Sequence, residues 1–511
     1  MGFRFNFETK KFTTTIAGAS IFIAVSGFLS KGIGFFREIV IANFFGLSVD
    51  YDIYLVGAVL PLTINTILLC IGQNYIIPRY NKLRTKNEEL AIGFVQSMLI
   101  VFFLCSTFVT ILLYSFSDLF ITSFFQLNNS NFHEIVKEIF RLFLFTIPLT
   151  SIISVIIAYQ QSTFEFRYFV ISNILLNTMV LLSVILLSSI NIYSIPIGYI
   201  IGIVLQLIYL VTKSKILFVG LKFFSNIKNV DFSFSYSILT IILIESISQL
   251  YVISDRYFFN KVSIGGISAL NYSQTLFLLP ISILTIALST AIFPKFSELI
   301  NRKLIVDLEK LLNQGISSIV FLFVPIMFLF IYFGKFIIKI IFERGMFSST
   351  DTLITNDVLV FYSISIVFYA VYGIFNKLIY SAGLISKLFI ITLIGTMIKI
   401  ALNFILVNYF QQVGLALSTS LSYFFFFTTS YFLILNKFNF VDKYIFPKEF
   451  FFHSINGAFA LLIAELLLVT DLISTNSQII EMFIFILFYL VNLSLLKNES
   501  IKSIYKVFIK N

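Results

Sequence analysis

REIVIANFFGLSVDYDIYLVGAVLPLTINTILLCIGQNYIIPR, residues 37–79, and RYFFNKVSIGGISALNYSQTLFLLPISILTIALSTAIFPK, residues 256–295, carry one pattern twice. Arg37 stands 24 residues before Pro61, and Arg256 stands 24 residues before Pro280. Each proline follows a leucine, Leu60 or Leu279, and each copy closes on a second proline beside a base, Pro78-Arg79 or Pro294-Lys295. Apolar runs bounded by polar punctuation surround both copies. They fall at about 13–45, 54–78, 90–116, 136–160, 166–189 and 193–213. After a polar gap they resume at about 235–259, 266–294, 311–333, 355–382, 387–408 and 413–435, with two more at about 451–470 and 478–496. A spanning helix needs about 20 mostly apolar residues. The pattern therefore predicts an all-α polytopic membrane protein of about fourteen transmembrane helices. The copies begin at helices one and seven, six spans apart, so both insert with the same orientation. Two six-helix lobes are then related by a parallel repeat about an axis along the membrane normal. The expected division is 1–220 for helices one to six, 221–440 for helices seven to twelve, and 441–511 for helices thirteen and fourteen with a cytoplasmic tail.

Composition points the same way. Of 511 residues, 59% are hydrophobic and only 12% charged, whereas soluble domains carry about 25% charged residues. The net charge of +10 does not indicate nucleic acid, because a nucleic-acid binder gathers its bases on one soluble face. Here they occupy the short gaps between apolar runs. With both termini in the cytoplasm, 24 of the 35 Lys and Arg residues fall on the cytoplasmic side. Only Lys137, Arg141, Lys261, Lys335, Lys339 and Arg344 fall on the other, as the positive-inside rule requires. Cys70 and Cys105 lie inside apolar runs, so neither a disulfide framework nor a cysteine zinc site is expected. His133 and His453 lie near the ends of different runs, without the sequence neighbours of a metal site or a catalytic triad. The first apolar run is too long for a secretory signal and lacks a small-residue cleavage site. Gly334-Lys335 lacks the upstream glycine of a phosphate-cradling loop, so ATP hydrolysis is not expected, and no soluble domain offers an enzyme site.

Ionisable residues inside the spans are the candidates for chemistry, since each costs on the order of 2.5 to 3.5 kcal/mol at the bilayer centre unless it meets a partner or a wet cavity. In helix one, Ser30, Lys31, Arg37 and Glu38 form stripes seven residues apart. Snorkelling to the interface or an internal ion pair is the competing reading. Helix seven carries Glu245, Gln249, Asp255 and Arg256; the last two are adjacent and are expected to find separate partners. Asp52 heads helix two as a solvated cap or a cavity mouth. Lys399 with Asn403 at i+4 makes a polar face in helix eleven, with Asp255 a plausible counter-ion, while Glu465 in helix thirteen stands alone. The 65 phenylalanines read as lipid-facing and packing mass. Two repeated lobes enclosing such charges, with no energy-coupling domain, suggest a secondary transporter that alternates between two openings.

Four stretches give the sequence a family likeness: SKGIGFFREIVIANFFG (30–46), YDIYLVGAVLP (51–61), ISALNYSQTLFLLPISILTIALSTAIFPKFSEL (267–299) and IFERGMFSSTDT (341–352). With these it resembles the MurJ/MviN family of lipid II flippases, within the superfamily of multidrug, oligosaccharidyl-lipid and polysaccharide exporters. The first stretch is similar to the family's SRxxGxxRd opening and the fourth to its outer hairpin after helix nine. The resemblance implies Arg37, Glu38 and Asp52 as carried-over site residues, and Lys31 in place of an arginine, which keeps the charge but loses the bidentate fork. Family members also place arginine in helix two after the Leu-Pro pair and in helix eight before it. This chain has Asn65 and Thr66 there, then Thr275 after Gln274, and Ile71 in place of a glutamate.

The implied function is a flippase for an undecaprenyl-pyrophosphate-linked saccharide in the bacterial cytoplasmic membrane, working among membrane lipids as a monomer without ATP or a bound cofactor. Ser30, Lys31, Arg37, Glu38, Asp52 and Arg256 would bind substrate. Asp255, Lys399 and Asn403 would couple transport to sodium, protons or the membrane potential. An O-antigen or capsule-unit flippase, a cation-coupled drug extruder and a non-transporting scaffold are the alternatives. The charge asymmetry generates a direct test: reporter fusions at Asn229 and Asn511 should both read cytoplasmic and one at Ser348 should not, and a swapped pattern contradicts this topology.

Overall fold

The computed structural model describes residues 16–125, 130–214, 234–440, 445–469 and 478–495, and among them there is no strand. The side chains of 16–30, including Ser30, and the reporter positions Asn229 and Asn511 lie outside what is described. In chain order the long helices are α1 (Ile16–Phe45), α2 (Val49–Arg84), α3 (Glu88–Ser115), α4 (Ser130–Leu144 and Thr146–Ser162), α5 (Phe166–Leu186), α6 (Ser194–Lys213) and α7 (Phe234–Tyr257). There follow α8 (Gly266–Asn301), α9 (Ile305–Tyr332), α10 (Ser349–Ser363 and Ile366–Ser381), α11 (385–410), α12 (412–438), α13 (Ile445–Val469) and α14 (Gln478–Leu495).

Among the described residues, ten helices are long and apolar enough to cross a membrane, or eleven when the two parts of α10, bent 47° at their break, count as one. The stretch Ile385–Phe438 runs as one helix only up to Gln411, where φ 48° and ψ −129° break it. Ser418 beyond the break hydrogen-bonds Asn403 before it, so α11 and α12 form a hairpin. With α1 and α7, the described helices correspond to the fourteen expected.

The internal repeat survives in the backbone. α2 and α8 are each 36 residues long. Each contains one proline (Pro61, Pro280), a five-residue π-helical turn (Gly72–Ile76, Ile281–Thr285) and a second proline, Pro78 or Pro294. A proline removes an N–H and crowds the carbonyl four residues back, so such helices widen or bend. A second correspondence was not readable beforehand. The α5–α6 hairpin turns at Asn191 (φ 54°, ψ −133°), nearly the conformation of Gln411 between α11 and α12. Both turns lead into close backbone contacts. A Cβ on Gly198 would lie 2.9 Å from Val180 Cα, and one on Gly414 would lie 2.4 Å from the Leu406 carbonyl oxygen. Small residues of this kind let helices pack where lipid supplies no hydrophobic drive.

The chain divides into two compact units, Met1–Asn260 and Lys261–Asn511. In the first, α7 packs along α2, and Ile71, Val95, Ile156 and Leu210 belong to one buried cluster of α2, α3, α4 and α6. Although α7 opens the second sequence copy, it falls in the first unit, so the sequence repeat and the compact units divide the chain at different places. In the second unit, an aromatic column ties α8, α10 and α12: Tyr423 stacks on Tyr369 at 3.9 Å and on Phe277 at 5.9 Å. α13 and α14 pack against α9 through Phe333, Ala460, Phe485 and Tyr489. Many phenylalanines and leucines remain exposed, Leu186 and Phe432 among them, as side chains facing lipid do.

Gln411 and Asn191 hold a positive φ that glycine adopts freely and other residues only with strain of order 1 to 3 kcal/mol. Gln411→Gly should therefore stabilise the α11–α12 hairpin by about 1 kcal/mol and raise the thermal midpoint of the purified protein; a lowered midpoint contradicts this.

Candidate functional site

In the first unit, a chain of polar side chains crosses four apolar helices. Gln206 on α6 donates from Nε2 to Ser172 Oγ and to Asn173 Oδ1 on α5, both at 3.2 Å. One turn on, Asn177 Nδ2 donates to the Asn173 carbonyl at 2.9 Å and Asn177 Oδ1 accepts from Arg37 Nη1 on α1 at 2.9 Å. Arg37 Nη2 donates to Glu38 Oε1 at 2.6 Å, and the Tyr51 hydroxyl on α2 donates to Glu38 Oε2 at 3.1 Å. The guanidinium is thus neutralised by its neighbour and aimed by an amide from another helix. Its Nε–H is buried and has no protein acceptor. Tyr54 and Tyr199 lie within the electrostatic reach of the charge. Tyr51 stacks on Tyr54 at 5.6 Å, and Phe143 stands between Tyr54 (5.9 Å) and Tyr199 (5.2 Å). This aromatic wall keeps the pair in a low-dielectric setting, where a charge-assisted bond is strong.

The geometry sorts the expected residues. Arg37 and Glu38 come together, and they show that neighbours on one helix do bridge when both side chains are long enough to bend to one side. The seven-residue stripe does not share an environment, since Lys31 is exposed while Glu38 is buried. Asp52 is 1% exposed, which removes the solvated-cap reading; Ser48 caps α2 instead, accepting from the Tyr51 N–H at 3.3 Å. The neighbouring Asp50 takes a bond from Asn191 Nδ2 at 2.7 Å, tying α2 to the α5–α6 turn. Asp255 and Arg256 on α7 are both buried, and so are Lys399 and Asn403 on α11. Asn403 accepts from Ser418, and Gln249 donates to Glu245 one turn away at 3.0 Å. Where the family likeness implies arginines, this chain has short polar groups already engaged with protein partners, and only Asn65 Oδ1 among them is buried without a hydrogen bond. Asn65 Nδ2 donates to Thr146 at 2.8 Å, and Thr66 and Thr275 bond the Leu62 and Asn271 carbonyls.

Sequence reading missed Tyr51, Asn173, Asn177 and Gln206. The i,i+4 pair of asparagines in the apolar run 166–189 was the available signal. Glu465 is not alone, because the Tyr332 hydroxyl donates to it. Neither histidine lacks neighbours: His133 lies 3.5 Å from Asp118, and His453 contacts Glu449 and Tyr489. Asp118, His133 and Glu134 converge, but Lys137 already sits 2.9 Å from the Asp118 carboxylate and holds it below the usual carboxylate range. An ammonium there occupies the place a metal ion would take. The 341–352 motif is architectural. Ser348 and Asp351 form a reciprocal helix cap, Thr352 donates to Glu343 at 2.7 Å, and buried Phe347 packs on Phe342 and Tyr272.

A protein from Borreliella burgdorferi named "Probable lipid II flippase MurJ" is 26% identical, over 82% of this chain and 83% of its own length. The lipid II flippase MurJ of Thermosipho africanus is 25% identical, over 80% of this chain and 83% of its own. Among solved structures, a lipid II flippase MurJ in an inward closed conformation superposes with a TM-score of 0.81 at 23% identity, covering 94% of this chain and 100% of that one. An inward-facing multidrug resistance MATE family transporter shares the fold more distantly, with a TM-score of 0.60 at 14% identity over 81% of this chain and 94% of that one. The family model described as lipid II flippase MurJ matches residues 41–489, and the chain belongs to that family.

Proposed function

We propose that this protein flips an undecaprenyl-pyrophosphate-linked saccharide, lipid II or a closely related envelope precursor, across the bacterial cytoplasmic membrane by alternating access. The observation that carries the reading is the Arg37 guanidinium, fixed by Asn177 and Glu38 inside an apolar lobe with a buried N–H still to be satisfied. A polar head group crossing hydrocarbon needs such a preset cation, while its polyprenyl tail stays in lipid. Arg37, Lys31 and Arg256 would meet the pyrophosphate by charge-assisted bonds. Glu38 and Asp52, with Ser30, would hold those cations in place and release them as the head group enters. The reported relatives named as lipid II flippases support the substrate class.

The neutral groups at Asn65, Thr66 and Thr275 favour a second reading, an O-antigen or capsule unit with a different head group, because these side chains are engaged with Thr146 or with their own helix backbone. In either case the protein acts as a transporter and not as a catalyst, as a monomer with both termini cytoplasmic and without ATP. Coupling would run through Asp255, Lys399 and Asn403. In that scheme Lys399 serves as a built-in cation in place of sodium, or exchanges a proton, as the membrane potential or an ion gradient drives the cycle.

Complementation of a strain depleted of its lipid II flippase tests this reading. The wild-type chain should restore growth, while Arg37→Ala and Arg256→Ala should abolish it at normal protein levels. Growth with both variants removes the pyrophosphate role, and failure of the wild type points to another lipid-linked saccharide.

A further inference from the structure

Outside the flippase site, a buried histidine joins three helices of the second unit. His453 on α13 is fully buried. Its Nδ1 lies 2.8 Å from the Tyr489 hydroxyl on α14, and its Nε2 lies 3.4 Å from Glu449 Oε2 one turn back on α13. The Tyr489 hydroxyl is also 3.2 Å from the Phe321 carbonyl on α9, to which it can only donate. That carbonyl has a reason to accept. Pro325 stands four residues further along α9 and has no N–H to give it, so the helix leaves Phe321 without its regular donor. Asn456 Nδ2 fixes α14 in register by donating to the Tyr489 carbonyl at 3.1 Å, and the rings of Phe321 and Phe452 stand edge-on to the imidazole.

Hydrogen-bond direction then sets the proton count. A phenol has one proton. When Tyr489 gives it to Phe321, the 2.8 Å bond to His453 needs a proton on Nδ1. Glu449, as a carboxylate, accepts only, so the contact at Nε2 needs a proton there too. With Glu449 as a carboxylate, the arrangement in which all three contacts are satisfied is an imidazolium. When one proton leaves Nδ1, the imidazole keeps Nε2–H on Glu449 and its bare Nδ1 accepts a hydrogen bond from the Tyr489 hydroxyl. The hydroxyl turns from Phe321, and the carbonyl freed by Pro325 loses its donor inside the membrane, where such a group is costly.

We propose that Glu449, His453 and Tyr489 form a proton-binding site in which one proton taken up by His453 turns the Tyr489 hydroxyl onto the Phe321 carbonyl and fastens α14 to α9. Glu449 on its own helix and Tyr489 from α14 both contact His453, while α9 presents the Phe321 carbonyl. The next titratable groups on these helices toward the far end, Glu465, Glu481 and Tyr332, gather around the Tyr332 hydroxyl. α13 and α14 lie outside the repeated lobes, so the site adds a proton-dependent fastening to the part of the chain that the duplication does not explain. It does not depend on the identity of the flipped lipid.

The chain has only two histidines, which makes the test direct. The full-length protein carrying His133→Gln, labelled with 15N in histidine and held in lipid nanodiscs, is followed by NMR from pH 5 to 9. Expected is a change from protons on both nitrogens to a proton on Nε2 alone. Glu449→Gln and Tyr489→Phe should each move that transition to lower pH by about one unit, a tenfold loss of proton affinity. The thermal midpoint of the protein with the intact site should fall as pH rises through the same transition, and Tyr489→Phe should lose that fall. A single neutral tautomer throughout, a transition indifferent to both substitutions, or a thermal midpoint with the same pH dependence in Tyr489→Phe overturns the proposal.

Discussion

An ionised guanidinium in an apolar lobe must be neutralised by the protein itself, and the Arg37–Glu38 pair is the constraint around which the first unit is arranged. Desolvating the two charges costs several kcal/mol each, which their attraction offsets only when further bonds complete the geometry. Tyr51 and Asn177 supply those bonds, so α2 and α5 must both approach α1 at this level. Asn173 and Gln206 extend the requirement to α6, and the tight turn at Asn191 brings α5 and α6 together. Removing one partner of such a pair leaves the other charge uncompensated, at a cost of about 3 to 5 kcal/mol. Stability and the proposed recognition of an anionic head group therefore draw on the same contacts.

The same demand for satisfied polar groups recurs in the second unit. Pro325 frees the Phe321 carbonyl and Tyr489 fills it, while Asn403 and Ser418 bond across the α11–α12 hairpin. In water such groups would be solvated at little cost; in hydrocarbon each must be answered by another helix. The π-helical turns of α2 and α8 belong to this logic, since each breaks the regular helix ladder where a neighbouring helix packs, α4 against the first and α10 against the second. Ser154 of α4, for example, donates to the Leu68 carbonyl at 2.7 Å just before the π-helical turn of α2.

Much of the architecture was legible in the sequence because it rests on local signals: apolar run length and the spacing of Arg37 and Arg256 to their prolines. The partners of those charges were not legible, since Asn177 lies 140 residues from Arg37 and no periodicity links them. The hairpin turn at Gln411 carries neither glycine nor proline at the turn itself. His453 had a readable partner in Glu449 at i−4, but Tyr489 and the carbonyl freed by Pro325 meet it only through folding. The 341–352 stretch shows the converse case. Its family-like residues cap and anchor a hairpin, so a recognisable motif here marks architecture.

The central claim is that Arg37, preset by Glu38 and Asn177, recognises a pyrophosphate. Its most direct test is binding of undecaprenyl diphosphate and undecaprenyl monophosphate to the purified protein by native mass spectrometry, with the wild type and Arg37→Gln compared at equal folded fraction. The wild type should prefer the diphosphate by at least about tenfold, a difference of about 1.4 kcal/mol, and Arg37→Gln should lose that preference. An undiminished preference in Arg37→Gln would contradict the account.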